Sequence, residues 1–227
     1  MKKTALLAAA ADLALTAGAV AKPSAHPSLA AKLAHTKNAV HHVSPFSVLY
    51  DQNSNDDGIG PVSQNFLNSS FDIYDSQGAD DFKVPHHSAW KVREVDVTGS
   101  YFNGSGVAPS ENVIFYAKGK HHVPGDVVRE FDGIQGTDDG FGSFAITLPG
   151  KGVTLKAGTY WVSVIANMDF FAGGEWGWET RADTLGSPGV WRNEGGGFGI
   201  CADWTPVSEC IPDGESDYLF TIQGDSH

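Results

Sequence analysis

Residues 158–167 read GTYWVSVIAN, and this stretch predicts the fold class. Tyr160, Val162 and Val164 occupy every second position, so on an extended chain they point to one side. Such an alternation is typical of a strand that packs one face against a core. The sequence therefore predicts that Tyr160 is buried and that Trp161 lies on the opposite face of the strand.

A second stretch, WKVREVDVTGSY at 90–101, shows the same alternation with one interruption. Trp90 and Val92 are in phase with each other, and so are Val95 and Val97. The phase changes between Val92 and Val95, which predicts a β-bulge that inserts one extra residue.

Eight further runs are rich in β-branched and aromatic residues and end at Gly, Pro, Asn or Asp, which is the pattern of strands and turns. They are Ser47–Tyr50, Phe71–Tyr74, Asp81–Val84, Asn112–Ala117, Val127–Asp132, Gly142–Leu148, Glu175–Thr180 and Tyr218–Ile222. The runs follow one another too closely for crossover helices between parallel strands. The sequence predicts a single all-β domain over 46–227, an antiparallel β-sandwich of jelly-roll-like form.

The N-terminus has the three parts of a secretory signal peptide. Lys2 and Lys3 precede a stretch rich in Ala and Leu, and the small-x-small site ends at Ala21. A membrane anchor is the alternative, but Asp12 interrupts the apolar run that a span needs. We therefore expect a signal peptide at 1–21, a flexible lead at 22–45, no membrane span in the mature chain, and a secreted or periplasmic location.

The chain is acidic, with 27 Asp and Glu against 15 Lys and Arg and a formal net charge of -12. This charge repels phosphate backbones and anionic membranes, which argues against a nucleic-acid partner. Solubility outside the cell explains the charge most simply, and cation binding is the alternative.

Only two cysteines occur, Cys201 and Cys210. A close pair in an exported protein predicts a disulfide. In the chain-entropy model, closing so short a loop contributes about 2–3 kcal/mol to stability.

Several segments resemble a group of secreted bacterial β-sandwich domains of uncharacterised function. They are ADDFKVP (79–85), WKVREVDVTGSYFNGSG (90–106), VIFYA (113–117), LKAGTYWVSV (155–164) and GGEWGW (173–178). The resemblance implies a jelly-roll-like sandwich in an extracellular setting. It implies no catalytic residue, because the group has no agreed function.

The loop DQNSNDDG offers a weak candidate calcium site. Asp51, Asn53, Asn55 and Asp57 place oxygen ligands at alternate positions, as calcium loops do. However, Gln64 stands where the helix-loop-helix form of such a site needs a bidentate Glu. An Asn- and Asp-rich turn is the alternative. No dinucleotide, phosphate-loop or nucleophile-elbow motif is present, so we expect no cofactor other than a possible calcium ion.

Glu175 and Glu179 are weak catalytic candidates in the segment GGEWGWET. Four residues apart on a strand, they would point the same way, as paired carboxylates do in laminarinase-type glycoside hydrolases. Gly177 replaces the central Asp of that pattern, which puts catalysis in doubt. A solvated strand face is the alternative.

Five tryptophans are candidates for ligand binding, because exposed rings stack against sugars. They are Trp161, Trp176, Trp178, Trp191 and Trp204. The alternative is that these rings belong to the core. We expect a secreted, non-catalytic module that binds an extracellular glycan or surface component, with polysaccharide the preferred ligand. An extracellular glycoside hydrolase and a structural surface or matrix protein are the alternatives.

Overall fold

The computed structural model describes residues 26–32, 43–214 and 216–227. The predicted signal peptide at 1–21 lies outside the described residues. The strands are β1 Ala30–Lys32, β2 Ser47–Asp51, β3 Ile59–Pro61, β4 Gln64–Phe66, β5 Gln77–Val97, β6 Gly99–Phe102, β7 Ser110–Lys118, β8 Pro124–Ile134, β9 Thr137–Asp138, β10 Phe144–Thr147, β11 Val153–Met168, β12 Glu175–Trp178, β13 Thr180–Arg181, β14 Val190–Arg192, β15 Thr205–Pro206, β16 Asp217–Tyr218 and β17 Phe220–Ser226. Two 3₁₀ helices, Ser69–Tyr74 and Lys120–His122, and two short helices, α1 Phe170–Gly173 and α2 Val207–Cys210, complete these elements.

Eleven strands form one large sheet whose main path is β15-β14-β5-β11-β7-β8. The pairs along this path are antiparallel, and the short strand β4 joins the free end of β11 in parallel. The remaining described strands form three small two-stranded sheets, β1-β3, β6-β12 and β13-β16. The prediction of an all-β, mainly antiparallel fold is confirmed.

The main core joins one face of the large sheet to the small sheets. It contains Val162 and Val164 of β11, Trp178 of β12 and Tyr218 of β16, all fully buried. Trp178 stacks on Tyr218 with ring centroids 4.6 Å apart. Two β layers that share one apolar core are in keeping with a β-sandwich.

A second apolar cluster lies on the opposite face of the large sheet, which we call the outer face. Its buried members are Ala79, Ile114, Tyr116, Trp161 and Val190. Val123, Ile165 and Trp204 pack against them and are partly exposed. The central strands are therefore covered on both faces, and Trp161 is as deeply buried as Val162.

Three differences between the strand predictions and the structure bear on the core and the site. Phe71–Tyr74 belongs to a 3₁₀ helix, because Asn68 caps the first turn by accepting a hydrogen bond from the Ser70 N–H. The runs at 81–84 and 90–97 are parts of one strand, β5, that is 21 residues long. Tyr160 is partly buried and packs against the main core, where full burial was expected.

The predicted bulge in β5 is confirmed. Strand β17 pairs Gln223 with Glu94 and Gly224 with Val92, so Arg93 is the extra residue. This insertion allows Val92 and Val95 both to be fully buried.

Residues 26–32, which fall within the predicted flexible lead at 22–45, lie against the domain in the structure. β1 pairs with β3, the Leu29 carbonyl accepts a hydrogen bond from the Val62 N–H, and Leu29 packs against the main core. Apolar contact and strand pairing together hold this segment on the domain. Among the described residues, no helix has the length and apolar character needed to cross a membrane.

Candidate functional site

Four of the five candidate tryptophans do not form a binding surface. Trp161, Trp176, Trp178 and Trp191 have no exposed area. Trp161 belongs to the outer-face cluster, and the indole N–H groups of the other three donate to backbone carbonyls at 2.7–2.8 Å. Their rings fill the two apolar clusters, as in the alternative that these rings belong to the core.

Trp204 is the one candidate that reaches the surface, and it is partly exposed on the outer face. It lies between Cys201 and Cys210, which form the predicted disulfide with a Cα–Cα distance of 6.1 Å. The closed loop places the indole edge-on to Tyr116, with ring centroids 6.1 Å apart. The disulfide therefore restricts the position of this aromatic ring on the outer face.

Glu175 and Glu179 are enclosed by the protein. Glu175 has no exposed area, and its carboxyl group accepts hydrogen bonds from the Ser28 N–H at 2.8 Å and from the Asn103 amide at 2.6 Å. Burial raises the pKa of Glu175 to about 8, although those two bonds act in the opposite direction. Glu179 is also buried and accepts from the Ser100 hydroxyl. Neither group lies on a solvated strand face, and their enclosure does not support the hydrolase hypothesis.

The oxygens of the candidate calcium loop are bonded to several different partners. Asp51 accepts from the Asn53 N–H at 2.9 Å, Asn53 from the Thr98 hydroxyl at 2.6 Å, and Asp57 from the Thr180 hydroxyl at 2.8 Å. The Asn55 amide donates to Asp183. Across the described part of the chain, no group of three or more His, Cys, Asp and Glu residues is placed to hold a metal ion. The loop has the bonding of a polar turn, and calcium remains a prediction.

A polar groove of about 450 Å³ opens on the outer face, and we call it the amide groove. It lies where β4, β5, β7, β11 and β14 meet the 3₁₀ helix at 69–74. Its lining consists mainly of amide, carboxyl and guanidinium side chains: Gln64, Asn65, Asp72, Asp75, Ser76, Gln77, Asn112, Ile165, Arg192, Glu194 and Gly195. Amide groups both donate and accept hydrogen bonds, carboxylate groups accept them, and guanidinium groups donate them.

Hydrogen bonds fix the orientation of the central groups of the groove. Gln77 donates to the Tyr116 hydroxyl at 2.8 Å and to the Ser163 hydroxyl at 2.9 Å. Its carbonyl oxygen accepts from Arg192 Nη2 at 2.8 Å and from Nε at 3.1 Å. The guanidinium carbon of Arg192 lies 4.2 Å from the centre of the Trp204 ring, a cation–π contact. The result is a continuous chain of contacts from the sheet to Trp204.

A second chain of amides crosses the sheet beside this one. Asn65 donates to Asn167 at 2.8 Å, and Asn167 donates to Asn112 at 2.8 Å. These three residues come from β4, β11 and β7, and they are adjacent because the strands are paired. Their amide groups are ordered before any ligand arrives.

Carboxyl groups give the groove a negative character. Burial raises the pKa of Asp75 to about 6, with a smaller contribution from the negative charge of Asp72 and against the bond from the Phe66 N–H. Glu194 also lines the groove and forms an ion pair with Arg192. Three carboxyl groups and one guanidinium group favour a neutral or cationic ligand over an anionic one.

Sequence reasoning found Trp204 and missed most of the groove. Asn65, Gln77 and Arg192 lie in separate segments, and the strand pairing brings them together. One signal was present in GTYWVSVIAN, because Trp161 and Ile165 are apolar on the face that was expected to meet solvent. A strand with apolar residues on both faces indicates a second cluster.

Comparison of the chain with models of known protein families, with curated proteins and with solved structures finds no match. The resemblance to a group of secreted bacterial β-sandwich domains therefore stays a prediction. The structure supports the coarser statement that the fold is all-β and carries one disulfide.

Proposed function

We propose that this chain is an exported, non-catalytic module that binds a neutral polysaccharide in the amide groove. The observation that supports this proposal is the groove itself, with its fixed polar groups beside the partly exposed ring of Trp204. Sugars offer many hydroxyl groups for planar polar side chains and an apolar ring face for an aromatic side chain. The groove provides the polar contacts, and Trp204, which contacts the groove residue Arg192, provides the aromatic ring.

Pre-organisation strengthens the argument. Gln77, Arg192 and the three Asn residues are already held by bonds within the protein, so binding costs little additional side-chain entropy. Gln77 uses both its N–H groups and both lone pairs of its oxygen in these bonds, so the groups that remain for the sugar belong to Arg192 and the Asn side chains. The disulfide restricts Trp204 in the same way.

The negative charge of the protein determines which glycans it can bind. The chain is strongly acidic and the groove adds three carboxyl groups, so uronic acid polymers and sulfated chains are repelled. We therefore expect binding to neutral chains such as glucans, xylans or mannans.

The test is the melting temperature of the protein with neutral polysaccharides, namely xylan, mannan and mixed-linkage glucan, and with the anionic alginate. A ligand that binds only the folded state raises the melting temperature. We expect a rise with at least one neutral polymer, none with alginate, and no release of reducing ends. No rise with any neutral polymer contradicts the proposal, and release of reducing ends makes the chain a hydrolase.

Trp204→Ala is expected to weaken binding about tenfold, equivalent to about 1.4 kcal/mol, because Trp204 contacts the groove residue Arg192 and Trp is enriched among the side chains whose truncation costs the most binding energy. Titration of the polymer against both proteins measures the effect. Phe141→Ala is the matched control, since Phe141 is 52% exposed and does not line the groove. Equal losses of affinity in the two variants would show that Trp204 has no specific role in binding.

Calcium is tested in the same melting experiment. If calcium alone raises the melting temperature and EDTA lowers it, Asp51, Asn53, Asn55 and Asp57 become candidate ligands. Without such a shift, the loop is a turn and the protein binds its ligand without a metal cofactor.

A further inference from the structure

A second pocket, of about 360 Å³, opens on the outer face, and we call it the histidine pocket. His121, His122 and Ser187 supply its polar groups, and Pro188, Val190 and Pro206 supply apolar walls. His122 Nδ1 lies 3.3 Å from the Ser187 hydroxyl oxygen. The pocket therefore has both polar and apolar lining groups.

Asp81 holds one side of this pocket in place through a hydrogen bond with Ser187. This buried carboxylate accepts a hydrogen bond from the Ser187 N–H at 2.9 Å. Gly186 has a φ of +94°, and a Cβ at this position would lie 2.3 Å from Asp81 Oδ1. Only glycine allows so close an approach to the carboxylate, so the sequence at 186–187 is matched to Asp81.

Two adjacent residues in the lining of the pocket have strained backbone conformations. His121 and His122 are consecutive non-glycine residues with φ of 59° and 60°. Such conformations are costly, and they occur often at ligand sites where the surrounding structure enforces them. Here they hold both imidazole groups at the pocket.

The two pockets are neighbours on one surface. Val190 lines the histidine pocket and Arg192 lines the amide groove, and these residues lie two positions apart on β14, about 7 Å. On β5, Gln77 and Asp81 are four positions apart, about 13 Å. Val123 and Val190 line the histidine pocket, Ile165 lines the amide groove, and all three belong to the outer-face cluster, together with Trp204.

We infer that the histidine pocket is a second subsite of the amide groove, and that the ligand is an extended neutral glycan chain that crosses both. The inference rests on the proposed function and deepens it. One part of the chain lies in the amide groove beside Trp204. Another part places hydroxyl groups at His122 and Ser187 and a ring face on the proline and valine walls.

The test compares short and long probes. Gluco-, xylo- and manno-oligosaccharides with β-1,4 links, each as a disaccharide and as a hexasaccharide, are titrated against wild type, His122→Ala, Ser187→Ala and Trp204→Ala. We expect both histidine-pocket variants to bind a hexasaccharide about tenfold more weakly, equivalent to about 1.4 kcal/mol, with unchanged affinity for the disaccharide. Trp204→Ala is expected to weaken binding of both lengths. His87→Ala is the matched control, because His87 is exposed with a φ of 63° and does not line either pocket.

The outcomes separate the two proposals. If the hexasaccharide binds His122→Ala and Ser187→Ala as tightly as wild type while Trp204→Ala still weakens binding, the second subsite is wrong and the amide groove stands. If no oligosaccharide binds wild type, or if Trp204→Ala has no effect on any of them, both proposals are overturned.

Discussion

Val162→Asp is expected to leave no cooperatively folded protein. Val162 has no exposed area and lies on β11, between its partners Asp80 on β5 and Phe115 on β7. A carboxylate at this position would enter the main core without a hydrogen-bond partner, at a cost comparable to the whole stability of a domain. It would also stand directly opposite Asp80, whose carboxyl group is already buried.

Circular dichroism and thermal unfolding of the purified protein measure the result. Thr154→Asp is the control, because Thr154 lies on the same strand, is exposed, and pairs with Lys91. We expect this control to melt close to wild type. A soluble Val162→Asp protein with a cooperative transition would mean that the register of β11 is wrong by one residue.

The second large effect is a loss of stability as the pH rises. Burial raises the pKa of Glu175 from 4.5 to about 8, and burial together with the charge of Asp217 raises the pKa of Asp80 well above its usual value. The folded protein therefore holds protons that the unfolded chain has released. For Glu175 this stabilisation is complete below about pH 4.5 and is lost as the pH rises to about 8.

The size of the effect follows from the shift, since each pKa unit corresponds to about 1.4 kcal/mol. Glu175 alone accounts for a decrease of a few kcal/mol in the free energy of unfolding between about pH 5 and 9. Urea unfolding across this range measures it. A free energy of unfolding that rises with pH would contradict the burial of these protonated carboxyl groups.

Glu175→Gln isolates the contribution of one group. The amide has the shape of the protonated acid and keeps an oxygen for the Ser28 N–H, and its NH2 group faces Asn103, whose side-chain amide can turn to present its oxygen. We expect the variant to match wild type at about pH 5 and to be more stable at about pH 9, by a few kcal/mol. Glu209→Gln, at an exposed position, is the control, and its free energy of unfolding should change with pH as that of wild type does. If the free energy of unfolding falls with pH equally in Glu175→Gln and in wild type, Glu175 is not the group that titrates.

The fold class was accessible from the sequence because period-two alternation is a local signal. Val162 and Val164 lie in the main core as predicted, and the phase change after Val92 marks the bulge at Arg93. The 3₁₀ helix at 69–74 was misread as a strand because Phe71, Ile73 and Tyr74 suit a strand, while the deciding bond is the cap from Asn68.

The candidate site was much less accessible, for a physical reason. A tryptophan count cannot distinguish the indole of Trp176, which is packed in a core, from that of Trp204, which is held at a surface by a disulfide loop. The amide groove depends on β14 pairing with the start of β5, which places Arg192 beside Gln77 although they are more than one hundred residues apart. No local pattern encodes that pairing.

Hydrogen exchange of the wild-type protein, with and without the neutral polysaccharide that gives the largest melting shift, tests the account most directly. The account predicts slower exchange on binding at residues 72–78 and 188–206, which carry Asp75, Gln77, Arg192 and Trp204. Protection that is absent from these segments and confined to the loop at 51–58, or to β1 and its surroundings, would place the ligand elsewhere and contradict the proposed binding face.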